Sequence, residues 1–272
     1  MAYNIQYVAT WQGSGNTSAA NVKGMIVPWV DAMRNVLTEY SLDFTPSTTD
    51  GLSTLTGTGI YYLNDSLHAT TPLYVKSIWT KAAYSTGNGF TWTVALGSSP
   101  TGPWGTAVNA AATGTSSTTA AVRIIDTSGE GYAGVFIPDS TVSTQEYCFM
   151  LSRPVNQTNS TVLSNGGFLY GVGADVRRYS KTYSAFSTYA QPTWAPNNST
   201  SSNPSVALDV YRVWVELDGQ MYCDPNLVAV HKAEHSFGRP FSVTPVTTSR
   251  TYMPINESNL DQSNLIYACR WD

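Results

Sequence analysis

The chain has 272 residues, enough to bury a substantial core as one large β domain or two smaller ones. Charged residues make up only 12%, about half the roughly 25% usual in soluble domains, and the formal net charge is −4. This balance excludes nucleic acid as the main partner: phosphate neutralisation needs clustered Lys and Arg, and the nearest cluster is Arg177-Arg178 with Lys181.

Tyr3–Trp11 alternates and predicts a short first strand, and Gly13-Ser14-Gly15-Asn16 a turn. Val22, Met25, Ile26, Trp29, Val30, Met33, Val36, Leu37 and Tyr40 then recur at helical spacing, opposite Asp31, Arg34, Asn35 and Thr38. Pro28 suits the first helical position, so the helix is expected from about Pro28 to Glu39, packed on a sheet face. Residues 1–45 thus read as a strand-plus-helix elaboration of a single β-rich domain spanning 1–272. Ser47–Gly59 reads as a flexible connector, followed by Ile60–Leu63.

Thr71–Ala107 organises the rest. Leu73–Ala83 and Phe90–Leu96 flank Ser85-Thr86-Gly87-Asn88-Gly89, the pattern of a β-hairpin with a longer loop. Phe90, Trp92, Val94 and Leu96 fall on one face, with Thr91, Thr93 and Ala95 on the other. The Pro and Gly residues of GSSPTGPWG force a tight excursion around Trp104. Val108–Thr119 reads as a weak strand or ordered loop, and Ala120–Ile125, Tyr132–Ile137 and Glu146–Leu151 as clear strands.

Gly167–Val176 reads as a strand interrupted by Gly. Residues 179–204 have no regular period and predict a long surface loop carrying Tyr183, Phe186, Tyr189 and Trp194. Ala207–Leu217, Leu227–Val230, Phe241–Val246 and Leu265–Trp271 complete a mainly β chain. The expected fold is an antiparallel β-sandwich, jelly-roll-like or related, with one N-terminal amphipathic helix.

Cys148, Cys223 and Cys269 are odd in number and far apart, which reads as buried free thiols in a reducing cytosol. The N-terminus carries no basic and apolar leader pattern, and no apolar run reaches the ~20 residues of a membrane span.

Tests for chemistry yield no catalytic, cofactor-binding or metal site. His231-Lys232-Ala233-Glu234-His235 matches H-x-x-E-H, which needs a long helix to set two imidazoles one turn apart. LVAV before it and SFGRPF after it cannot supply that helix, so these read as surface-loop histidines. Glycoside hydrolysis needs two carboxylates about 5–10 Å apart. The candidates are Asp126, Glu130, Asp139, Glu146, Asp175, Asp209, Glu216 and Asp218, and turn chemistry explains most of them. Glu216 lies inside a strand and reads as an edge or solvent-facing position. The loop aromatics Trp104, Tyr183, Phe186, Tyr189 and Trp194 have no alternating partners. Three fates are open to them: folding onto their own core, anchoring a neighbouring subunit, or stacking on sugar rings.

VDAMRNVLTEY, then TGTGIYYLN, TTPLYVKSIWTKA and FTWTVALGSSPTGPWGTA, followed by a late aromatic loop, resembles the virion structural proteins of tailed bacteriophages. In these minor head, collar or tail components a short N-terminal helix introduces an antiparallel sheet. The resemblance covers roughly residues 20–180 and brings no catalytic residues. It implies a non-enzymatic neck, tail, fibre or capsid-decoration component, assembled in the host bacterial cytoplasm as a homo-oligomer with itself and other virion proteins. The alternative it implies is a receptor- or glycan-binding module at a tail or fibre tip, with a host surface glycan as partner.

Overall fold

The computed structural model describes residues 4–10, 27, 30–31, 33–49, 52–81, 91–105, 107–109, 119–127, 132–137, 147–156, 158–159, 162, 167–171, 178–180, 189–190, 211–217, 220–231, 241–243, 250–254 and 265–270. Among them the chain is mainly β and its sheets are antiparallel, with little helix. The strands in order begin with β1 (Asn4–Thr10), β2 (Thr38–Thr49), β3 (Leu52–Tyr62), β4 (Tyr74–Lys81), β5 (Thr91–Gly97) and β6 (Val108–Asn109). Next come β7 (Thr119–Thr127), β8 (Tyr132–Ile137), β9 (Tyr147–Ser152), β10 (Val155–Asn156), β11 (Phe168–Gly171) and β12 (Arg178–Ser180). The last are β13 (Tyr189–Ala190), β14 (Tyr211–Leu217), β15 (Gln220–His231), β16 (Phe241–Val243), β17 (Arg250–Pro254) and β18 (Leu265–Arg270).

They form three sheets. One has five strands, β2-β3-β4-β5-β6, and one has seven, β1-β7-β8-β9-β11-β12-β13. The third has six: β10-β15-β18-β17-β16, with β14 also paired to β15. The predicted hairpin is β4 and β5, in register from Tyr74↔Gly97 to Thr80↔Thr91. Its alternation sets the core: Val75, Ser77, Trp79, Trp92, Val94 and Leu96 are all fully buried, while Lys76, Ile78 and Thr93 are half-exposed. Trp79 and Trp92 are paired across the strands and stack with centroids 6.5 Å apart. The Trp92 indole donates to Ser77 Oγ at 2.6 Å, which satisfies a buried hydroxyl.

Two expectations are corrected upstream. Val27, Val30, Asp31 and Met33–Val36 are helical, with Val30, Met33 and Val36 buried and Arg34 and Asn35 exposed, as an amphipathic stripe requires. The helix stops there, however, instead of reaching Glu39. Thr38 pairs with Tyr62 and Glu39 with Tyr61, so cross-strand pairing overrides the helical spacing. Ser47–Gly59 is not a flexible connector but the facing arms of the β2–β3 hairpin, whose last pair is Thr49↔Leu52.

Further corrections are smaller. Leu227–Val230 is part of a 12-residue strand, β15. The stretch 179–204 is not loop throughout: Tyr179 and Ser180 lie in β12 and pair with Ala190 and Tyr189 of β13. Cys223 is half-buried, not fully buried. The expected turn at Gly13–Asn16 lies outside the described residues.

The three sheets meet at one residue. β9 ends at Ser152, Arg153-Pro154 follows, and the chain enters β10 of the six-stranded sheet. The Arg153 side chain, 1% exposed, reaches the β3–β4 connection of the five-stranded sheet. There its Nε pairs with Asp65 Oδ2, its Nη2 donates to Asp65 Oδ1 at 3.1 Å, and the same Nη2 donates to the Thr71 carbonyl at 2.9 Å. A planar guanidinium suits this double grip.

Tyr61 lies fully buried on the inner face, folded over Gly59, where a Cβ would come within 2.5 Å of its ring. Its hydroxyl has no hydrogen-bond partner among the described residues. Burial, reinforced by the Glu39 carboxylate and opposed by Arg34, holds the phenol well above its ordinary pKa. The fold therefore favours neutral Tyr61. Its contribution is complete below the unfolded value of about 10 and is lost as pH climbs above it. Tyr61→Phe should raise unfolding free energy by about 1 kcal/mol at neutral pH, since it removes an unpaired buried hydroxyl. It should also flatten the alkaline fall in stability, which urea titrations at pH 8 and pH 11 would measure. An unchanged alkaline slope would locate the titrating group elsewhere.

Candidate functional site

The outer face of the five-stranded sheet is unusual for what its register lines up. Thr38 pairs with Tyr62, Tyr62 with Tyr74, Tyr74 with Gly97, and Gly97 bridges to Trp104. These residues form one row running across the strands. At about 4.8 Å per strand step, the backbone positions from Tyr62 to Trp104 span roughly 15 Å.

Each ring is held. Tyr40 is the extra residue of a bulge between Glu39 and Ser41, and its ring meets Tyr74 edge-on at 6.1 Å. It is 56% exposed, which corrects its place on the helix stripe. Tyr62 and Tyr74 lie 5.8 Å apart, and His68 stacks on Tyr62 at 4.3 Å. His68 comes from the β3–β4 connection, which is closed by Leu63 N to Leu73 O at 3.0 Å and tied by Arg153. Its Nδ1 is buried without a hydrogen-bond partner among the described residues.

Trp104 lies against the sheet because position 97 is glycine; a Cβ there would come within 2.7 Å of the indole. Gly102, at φ +87°, turns the chain back, and only glycine takes that backbone freely. Ser99 Oγ donates to the Gly102 carbonyl at 2.6 Å, and Gly105 N to Leu96 O at 2.8 Å. The half-exposed Trp104 ring has the Lys76 ammonium 5.9 Å from its centroid, the outer limit of a cation–π contact.

A second surface adjoins the row. β2 is 12 residues long and stands at one end of the sheet order, paired with β3 alone among the described strands. Ser41, Asp43 and Thr45 project exposed along it, and Pro46 lacks an N–H to offer.

Of the aromatics singled out in sequence, Trp104 joins the row. Tyr189 sits in β13 of the seven-stranded sheet, so the register does not bring it to Trp104. Tyr183, Phe186 and Trp194 lie outside the described residues. Sequence reasoning missed Tyr40, Tyr62, His68 and Tyr74. A partial signal was the alternation around Tyr61-Tyr62, which places one ring inward and one outward.

His231 ends strand β15, paired with Leu265, so its backbone is extended and not helical as a zinc-protease motif requires. Glu216 is in β14, which pairs with β15 alone among the described strands, and Asp126 is in β7. Glu130, Asp139, Glu146, Asp175, Asp209 and Asp218 lie outside the described residues. Among the described residues no group of three His, Cys, Asp or Glu side chains is placed to hold a metal ion, and no helix is long and apolar enough to cross a membrane. Compared with protein-family models, curated proteins and solved structures, the chain matches none of them.

Proposed function

We propose that this protein is a non-enzymatic structural component of a tailed-bacteriophage virion, in the neck, collar, tail, fibre or capsid decoration. It assembles in the bacterial cytoplasm through contacts with copies of itself and with other virion proteins. The resemblance over residues 20–180 supplies the particle. The observation that carries assembly is the open β2 edge, with one partner strand among those described. Such an edge is a template for strand addition by another chain, and Pro46 confines the pairing to the stretch before it. Ser, Thr, Asn, Gly and Tyr in place of charge suit a surface that is covered in use, because short polar side chains cost little to order and desolvate.

The same proposal takes the chain as one domain with a sandwich core. In support, the five-stranded sheet buries one face and exposes the other, and Leu73 lies close against Gly167, just before β11.

Light scattering on the purified protein, with negative-stain images of the same fraction, tests this reading. A defined ring or symmetric oligomer is the expected result. Ser41→Lys with Thr45→Lys, both at exposed edge positions, should reduce it to monomers with circular dichroism unchanged. A wild-type monomer that binds no partner ring would remove the assembly reading. An oligomer indifferent to both lysines would remove the edge as its contact.

A further inference from the structure

We infer that the row formed by Tyr40, Tyr62, Tyr74 and Trp104, with Lys76 beside it, is a binding platform for an extended carbohydrate chain bearing anionic groups. The inference concerns this face alone and does not depend on how the protein assembles.

The rings are ordered before any ligand arrives. Tyr40 is aimed by a bulge, Tyr62 is stacked by His68, and Trp104 is seated on Gly97 by a loop braced by its own hydrogen bonds. The tyrosine and histidine rings pack on one another at the surface, and the core of this sheet lies on its other face. Holding the rings in fixed positions reduces the ordering cost of binding. The C–H faces of pyranose rings are apolar and weakly positive, and they complement the negative faces of Tyr and Trp, while the Tyr hydroxyls can bond to sugar hydroxyls.

The shape and surroundings of the row select this occupant over a peptide. A peptide strand adds along an edge, and this row crosses the strands on a face. A helix needs a continuous apolar groove, and on this outer face Thr38, Ser41, Thr58 and Thr93 interrupt the apolar Ile60 and Ile78. The charge selects the acidic class. Lys76 is the one charged side chain described on the outer faces of β3, β4 and β5. Asp43, the described acid on the outer face of β2, pairs with Thr58, two residues along β3 from Ile60, the partner of Lys76, so it lies two strands across and roughly 12 Å from Lys76. A carboxylate or sulfate on a sugar stacked over Tyr74 and Trp104 would meet the Lys76 ammonium with no carboxylate in direct contact with it among the described residues.

An array of acidic and neutral oligosaccharides, uronate-containing and sialylated members included, tests this with the full chain. Saturable binding to acidic members is expected, weakened at least about tenfold by Trp104→Ala and by Tyr40→Ala. Tyr40, at 56% exposure, can be truncated without touching the core. Lys76→Gln should abolish the preference for acidic over neutral members and leave the melting temperature unchanged. Binding to no sugar, binding that survives both ring substitutions, or an acidic preference that survives Lys76→Gln would each overturn the inference. Light scattering on Tyr40→Ala separates the two readings. Lost sugar binding at constant mass supports a glycan platform, and lost mass would assign the row to a second copy instead.

Discussion

Arg153→Met should cost about 3–5 kcal/mol of unfolding free energy, the largest loss expected from any single polar substitution among the described residues. Asp65 is left behind with its side chain 3% exposed, and the Thr71 carbonyl loses a donor at the same moment. The cost comes from stranding a buried carboxylate, not from losing a favourable pair. The double variant Arg153→Met with Asp65→Leu should therefore recover much of it, because two apolar side chains of similar volume bury without desolvating a charge. A urea-denaturation cycle over both singles and the double measures the coupling, and at least about 2 kcal/mol is expected between groups in direct contact. Two singles that each cost under 1 kcal/mol would show the pair to be solvated.

The position of Arg153 extends the prediction beyond stability. It follows β9 of the seven-stranded sheet, precedes β10 of the six-stranded sheet, and grips the connection that carries His68 onto Tyr62. Its loss should loosen the Tyr62 end of the aromatic row in any fraction that stays folded. Arg153 is a positioning residue for that surface.

Trp92→Ala should cost about 3–5 kcal/mol, since a fully buried indole leaves a cavity that its neighbours fill only in part. A more diagnostic comparison is Trp92→Phe against Trp79→Phe. Both rings are fully buried in one stacked pair, so shrinking either removes similar volume. Their polar atoms differ. The Trp92 N–H donates to Ser77 Oγ at 2.6 Å, whereas Trp79 Nε1 has no hydrogen-bond partner among the described residues. Trp92→Phe should thus be worse than Trp79→Phe by about 1 kcal/mol, the worth of a buried hydrogen bond. Equal costs in a denaturant titration would show that packing alone sets the stability of this core.

How much of this was legible depends on where each element finds its apolar partners. The β4–β5 hairpin carries its own, since Trp79 and Trp92 sit in the period that their strands impose, and alternation reveals it. The stretch Ser47–Gly59 does not. Its inward positions include Gly57 and Gly59, and rings outside that stretch cover them: Phe44, earlier in β2, over the first and Tyr61, at the end of β3, over the second. A strand whose buried face is filled by other residues' side chains shows no apolar period, so Ser47–Gly59 reads as a linker. The Asp50-Gly51 pair between its arms was the available sign.

The helix shows the converse. Its stripe was visible, but its end was not, because the spacing through Tyr40 fits a helix as well as a strand with a bulge. Only the pairing of Thr38 and Glu39 with Tyr62 and Tyr61 decides between them. The aromatic row lies further still from sequence. Tyr40, Tyr62, Tyr74 and Trp104 share no period along the chain, and they become neighbours only through strand register and a bulge.

By itself the sequence determined that this is a β-rich protein of low charge, with a Trp-centred hairpin and a short amphipathic helix, because alternation and composition are local properties of the chain. The tertiary structure alone decided which rings lie together on one face, which strand stands at an edge, and that Arg153 joins three sheets. Those depend on register and on long-range pairing, where contacts form between residues that no local pattern connects.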